Sequence, residues 1–131
     1  MKIEHVAFQV QDPPTVARWY VQHLGLVIKR SQPASPFGHF LADSAGVVML
    51  EFYQFPQLPV PDYRTMDPML LHIAYWTDNI EETRARLIAA GATPHSEIQT
   101  NDAGDVLTML RDPWGLPLQL VHRATPLLTE T

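Results

Sequence analysis

Two stretches of this 131-residue chain follow one plan, and that repetition constrains the fold more than any other feature. His5-Val6-Ala7-Phe8 and His72-Ile73-Ala74-Tyr75 open the two copies at an offset of 67 residues. Gly25 and Gly91 follow at an offset of 66, and Asp43 and Gly46 match Asp112 and Gly115 at 69. Leu50-Glu51-Phe52 and Leu118-Gln119-Leu120 close the copies at 68. Small loop changes account for the drift.

Each copy reads alike. Residues 2–10 alternate, with Val6, Phe8 and Val10 on one side and Ile3, His5, Ala7 and Gln9 on the other, as in a strand with one apolar face. Asp12-Pro13-Pro14 breaks the strand and starts a helix, with Asp as cap and proline in the first turn. Thr15–Leu24 keeps helical spacing and Gly25 fits its C-cap. Leu26–Lys29, His39–Ala42 and Val47–Tyr53 read as strands, the last two forming a hairpin that turns near Asp43–Gly46. In the second copy, Leu70–Thr77 is a strand and Asp78-Asn79 caps a helix to Ala90. Short strands follow near Thr93–Gln99, Asp105–Arg111 and Leu116–His122. Between the copies, residues 54–69 hold Pro56, Pro59, Pro61 and Pro68, a density that removes ladder donors and predicts a linker or lid. The expectation is an α+β fold with module one at 1–53, the linker at 54–69, module two at 70–123 and a C-terminal tail at 124–131 that is loose at its end.

Composition removes whole classes of function. The chain has no cysteine, so disulfide frameworks, thiolate metal sites and cysteine nucleophiles are excluded. A net charge of -5 argues against nucleic acid and anionic membranes as partners. The opening MKIEHVAFQV has no apolar core of the signal-peptide type, and no apolar run is long enough to span a bilayer. A cytoplasmic protein is the expectation.

The repeat singles out four residues. His5 and His72 hold equivalent mid-strand positions in the first strand of each module, and Glu51 and Gln119 hold equivalent positions in the last. Strand parity turns all four away from the helix-facing side. Two imidazoles, one carboxylate and one amide oxygen converging on one face would bind a divalent first-row metal. His23, His39, His95 and His122 lack such a pattern and read as structural or exposed. By the same parity Ile3, Ala7, Val47, Met49, Tyr53, Leu70, Ala74, Trp76 and Val121 share that face and would line an apolar pocket or fill a core. Asp112-Pro113-Trp114-Gly115 reads as turn chemistry. Arg64 reads as a solvated loop charge, with a substrate carboxylate as its alternative partner.

These segments resemble the vicinal oxygen chelate superfamily, which includes glyoxalase I, extradiol dioxygenases and the bleomycin resistance proteins. The carriers are Ile3-Glu4-His5-Val6-Ala7 before a helix ending His23-Leu24-Gly25-Leu26, and Leu71-His72-Ile73-Ala74 before one ending Ala89-Ala90-Gly91-Ala92. A third is Leu110-Arg111-Asp112-Pro113-Trp114-Gly115-Leu116-Pro117-Leu118-Gln119-Leu120, similar to the family's closing hairpin. The resemblance covers residues 1–123. It implies two βαβββ modules whose sheets form a cup around one divalent transition metal (Zn, Ni, Co, Mn or Fe), held at the positions of His5, Glu51, His72 and Gln119. Most metal-dependent relatives carry glutamate where Gln119 stands, so a mechanism with two carboxylates is disfavoured.

The resemblance implies a lyase or isomerase of glyoxalase type acting on a small oxygenated metabolite, the metal a Lewis acid and Glu51 the base. One alternative is a metal-free protein that binds and sequesters a ligand, as bleomycin resistance proteins do. The other is a non-haem iron dioxygenase, ranked lower because that class has its carboxylate where Gln119 stands. A homodimer is implied too, since such modules often pair between chains to share a site.

Overall fold

The computed structural model describes residues 1–128; the end of the expected loose tail lies outside the described residues. The chain divides into two compact units, Met1–Pro61 and Asp62–Thr131, the boundary falling inside the proline-rich segment. No helix among the described residues is long and apolar enough to cross a membrane.

The first unit runs β1 (His5–Gln9), α1 (Pro13–Leu24), β2 (Val27–Ser31), β3 (His39–Ala42) and β4 (Met49–Tyr53). Its sheet has the order β1-β4-β3-β2, with β1 parallel to β4 and the other pairs antiparallel. Asp12 caps α1 by accepting the Thr15 amide, prolines occupy its first turn, and Gly25 ends it in the left-handed region. The helix buries Val16, Ala17, Trp19 and Tyr20. Phe52 is the hub beneath it, with the Tyr20 ring 5.0 Å away and the Phe8 ring 6.0 Å away. Val6 was expected on this core face but is 45% exposed. It lies on β1, an edge strand of the sheet, while α1 packs over β2, β3 and β4.

The second unit runs β5 (Ile73–Trp76), α2 (Ile80–Ala89), β6 (Thr93–Pro94), β7 (Gln99–Thr100), β8 (Val106–Arg111) and β9 (Pro117–His122). Its order is β5-β9-β8-β6, with β7 also paired to β8, and β5 runs parallel to β9. Asn79 caps α2 by accepting the Glu82 amide. Leu87, Leu110, Leu118 and Leu120 are fully buried and form the core between α2 and the sheet.

The two sheets repeat in register: Ala7 pairs with Glu51, and Ala74 with Gln119. Three local expectations change. His5 opens β1 and His72 stands one residue before β5, so neither is mid-strand. Continuing the β5–β9 ladder would set His72 opposite Pro117, which has no N–H to donate, and the ladder stops there. The proline-rich segment contains a short 3-10 turn at Tyr63–Thr65. The strand expected over Thr93–Gln99 is interrupted, because the amides of His95 and Ser96 both donate to the Met109 carbonyl in a bulge-like arrangement.

The closing hairpin is held by its turn residues. Asp112 is 1% exposed, and its Oδ1 accepts the amides of Trp114 and Leu116. Gly115 has φ +97°, and a Cβ there would lie 2.8 Å from the Arg64 backbone nitrogen. The Arg64 guanidinium donates to the Pro113 carbonyl, so Arg64 fastens the proline-rich segment to the hairpin.

Candidate functional site

In the first unit, Glu51 sits between Ala7 on β1 and Phe40 on β3. His5 Nε2 lies 3.7 Å from Glu51 Oε1. The His5 ring is fixed from two other directions. Its Nδ1 is 3.2 Å from Glu4 Oε1, and Phe40 meets it edge-on at 5.4 Å. Each ring nitrogen of His5 faces a carboxylate, Nδ1 that of Glu4 and Nε2 that of Glu51. Burial raises the Glu51 carboxyl above its ordinary value, with His5 pulling it down and Glu4 pushing it up. Gly38 makes room for this carboxylate, since a Cβ there would stand 3.2 Å from Glu51 Oε2.

In the second unit, His72 Nδ1 lies 2.8 Å from the Pro68 carbonyl oxygen and donates to it, leaving Nε2 available as a ligand. A backbone carbonyl holding the far nitrogen is the usual way a ligating imidazole is oriented. Gln119 lines a cavity of about 230 Å³ together with Asp67, Pro68, His95 and Ser96. The bulge at His95–Ser96 brings His95 to that cavity wall, a placement that alternation in the sequence does not reveal.

The donor chemistry fits a divalent metal in part. Two ligands at about 2.0–2.1 Å from one ion stand about 3.3 Å apart at a tetrahedral angle, close to the His5–Glu51 spacing. Among the described residues no group of three or more His, Asp or Glu side chains is gathered that could hold a metal ion. Each unit by itself offers two of the four donors: an imidazole and a carboxylate in the first, an imidazole and an amide in the second.

Phe40 and Gly38 were not among the sequence candidates. The hairpin register sets Phe40 opposite Glu51, so the turn at Asp43–Gly46 was the signal that points to it.

Residues 2–120 match the Glyoxalase/Bleomycin resistance protein/Dioxygenase superfamily. No functionally curated protein matches the sequence. Among solved structures, the chain is similar to a glyoxalase family protein from Enterococcus faecalis, at 29% identity and TM-score 0.68, covering 92% of this chain and 97% of that one. It is similar to SMU.1112c at 27% identity and TM-score 0.73, over 93% and 98% of the two chains. TnmS3, an antibiotic binding protein from Streptomyces sp. CB03234, shares the fold at 20% identity and TM-score 0.71, over 95% and 97%. With a strand–helix–sheet module repeated in each unit, the matching Ala7–Glu51 and Ala74–Gln119 registers and a match over nearly its whole length, the chain belongs to the Glyoxalase/Bleomycin resistance protein/Dioxygenase superfamily.

Proposed function

We propose that the protein is a divalent-metal-dependent lyase or isomerase of glyoxalase type acting on a small oxygenated metabolite. The observation that carries this reading is the His5–Glu51 pair, an imidazole nitrogen and a carboxylate oxygen held 3.7 Å apart. An imidazole and a carboxylate at this spacing are two of the ligand types that a divalent first-row metal takes. His5 and Glu51 would hold the metal together with His72 and Gln119, the latter two coming from the same chain or from the second copy in a homodimer. A twofold dimer of the latter kind has two equivalent sites.

The metal supplies Lewis acidity that polarises a substrate carbonyl. The rest belongs to this chain. Glu51 would remove the proton from a hydroxyl-bearing carbon beside the carbonyl and return it to the carbonyl carbon, while the hydroxyl proton passes to the former carbonyl oxygen, so that one C–H and one O–H bond break and one of each forms. His5, pinned by Glu4 and Phe40, keeps the carboxylate flanked by an oriented imidazole. Gln119 cannot take a proton, so a single base serves both transfers.

Metal analysis of protein purified without chelator, with thermal shift against Ni²⁺, Zn²⁺, Co²⁺, Mn²⁺ and Fe²⁺, tests the reading. Stoichiometric metal and a stabilising shift are expected. Absence of both overturns it. A second reading, metal-free capture of a ligand, is favoured by the amide at Gln119, which leaves the second unit without a charged ligand. The similarity in fold to an antibiotic binding protein points the same way. An iron dioxygenase ranks third, since its carboxylate position is the one Gln119 occupies.

A further inference from the structure

Beside Gln119 on β9, the strand face continues to Val121 and, on the neighbouring β5, through Ala74 to Trp76, with Arg123 just past the end of β9. These residues line a trough of about 790 Å³ with Pro126, Leu127 and Leu128 of the C-terminal segment. Six of its seven lining side chains are apolar, and Arg123 carries the only charge. The apolar members stand open: Trp76 is 63% exposed, Leu127 73% and Leu128 89%. Large apolar side chains gathered around one concavity and left in water mark a binding surface rather than a core.

The segment that walls the trough is anchored. Asp105 Oδ1 accepts the Ala124 amide at 3.0 Å, and Oδ2 accepts Arg123 at 2.9 Å and Asn101 at 3.3 Å. This clasp fixes the chain as it leaves β9, just before Pro126–Leu128. The bond to Asp105 uses one terminal nitrogen of Arg123, and a guanidinium has further N–H donors.

We infer that this trough binds the body of a planar, apolar small molecule carrying one anionic group, the ring system lying against Trp76 and the anion meeting Arg123. Its volume falls in the range of pockets that enclose drug-sized ligands, whereas a three-carbon metabolite would leave most of it to water. An indole face suits a flat ring, and an arginine at the wall selects for a carboxylate or sulfonate. The inference deepens the proposed function, because the trough continues the strand face that carries Gln119, and it names the part of the substrate that is not at the metal.

The test is calorimetric titration of the full-length protein in the presence of EDTA with 2-naphthoate, 2-naphthalenemethanol and pyruvate as probes. One 2-naphthoate per chain is expected, with the neutral alcohol weaker and pyruvate unable to compete. Trp76→Ala should weaken 2-naphthoate by about tenfold or more, the scale of a lost aromatic contact, and Trp76→Phe should restore part of it. Arg123→Gln should narrow the gap between acid and alcohol, while Arg123→Lys keeps it. Leu127→Ser combined with Leu128→Ser should weaken both naphthyl probes. Binding unchanged in Trp76→Ala, no 2-naphthoate binding at millimolar concentration, or displacement by pyruvate each overturns the inference. Loss of naphthoate binding with stoichiometric metal intact refutes the trough alone; naphthoate binding in a protein that takes no metal refutes the metal reading alone.

Discussion

Glu51 and Phe52 are neighbours on β4 that point to opposite faces, so substituting each in turn separates site from core. Phe52 is fully buried, with Tyr20 at 5.0 Å and Phe8 at 6.0 Å around it. Truncating such a ring removes its transfer free energy, leaves a cavity and strands two aromatic partners, which costs about 3–5 kcal/mol. Against a total stability of about 5–15 kcal/mol, that is about a fifth of the fold or more. For a chain of this size the melting temperature should fall by about 10–18 °C in Phe52→Ala, read by circular dichroism. Glu51 carries a carboxylate that burial disfavours. Glu51→Gln keeps its shape and removes the charge, so the metal-free protein should melt within about 3 °C of wild type or above it at neutral pH. The raised folded-state pKa means the wild-type carboxyl binds its proton more readily folded than unfolded, so this penalty is present above the raised pKa and disappears as pH falls below the ordinary value. Turnover and metal affinity should be lost in Glu51→Gln despite the intact fold. Equal destabilisation by the two substitutions, or full activity in Glu51→Gln, refutes the division of β4 into a core face and a site face.

Other substitutions probe the supports. Gly38→Ala sets a methyl 3.2 Å from Glu51 Oε2, so metal affinity measured by titration should fall while the melting temperature moves by only a few degrees. Gly115→Ala combines positive φ with a Cβ 2.8 Å from the Arg64 nitrogen, and chemical denaturation should show a loss of at least about 2 kcal/mol; a neutral result would deny the packing of Arg64 on the hairpin. Asp105 is held below its ordinary pKa, first by the Ala124 amide and then by Arg123. The stability this confers is full above the ordinary value and lost as pH falls through the lowered one. Asp105→Asn should therefore melt below wild type at neutral pH and converge on it in acid; a constant gap across the pH series would contradict the clasp.

The repeat in the sequence carried most of the architecture because it compared like with like. The offsets placed Glu51 and Gln119 at matching positions, and both pair with an alanine in register. Caps at Asp12 and Asn79 were legible because a side-chain acceptor before an amphipathic run has one physical use. What escaped was decided by single backbone events. The Pro117 nitrogen ends the β5 ladder before His72, and a bulge at His95–Ser96, opposite Met109, breaks the expected strand and carries His95 to the cavity beside Gln119. Alternation assumes an unbroken pleat, so it sees neither. Arg123 and the apolar tail were equally silent, because their placement depends on the Asp105 clasp across 18 residues of sequence.

The central claim is that one metal needs an imidazole from each module. Metal stoichiometry by titration calorimetry on wild type, His5→Ala and His72→Ala, each verified as folded by circular dichroism, tests it most directly. The account predicts one metal per chain in wild type and loss of high-affinity binding in both variants alike. Retention of wild-type affinity in either variant would contradict it.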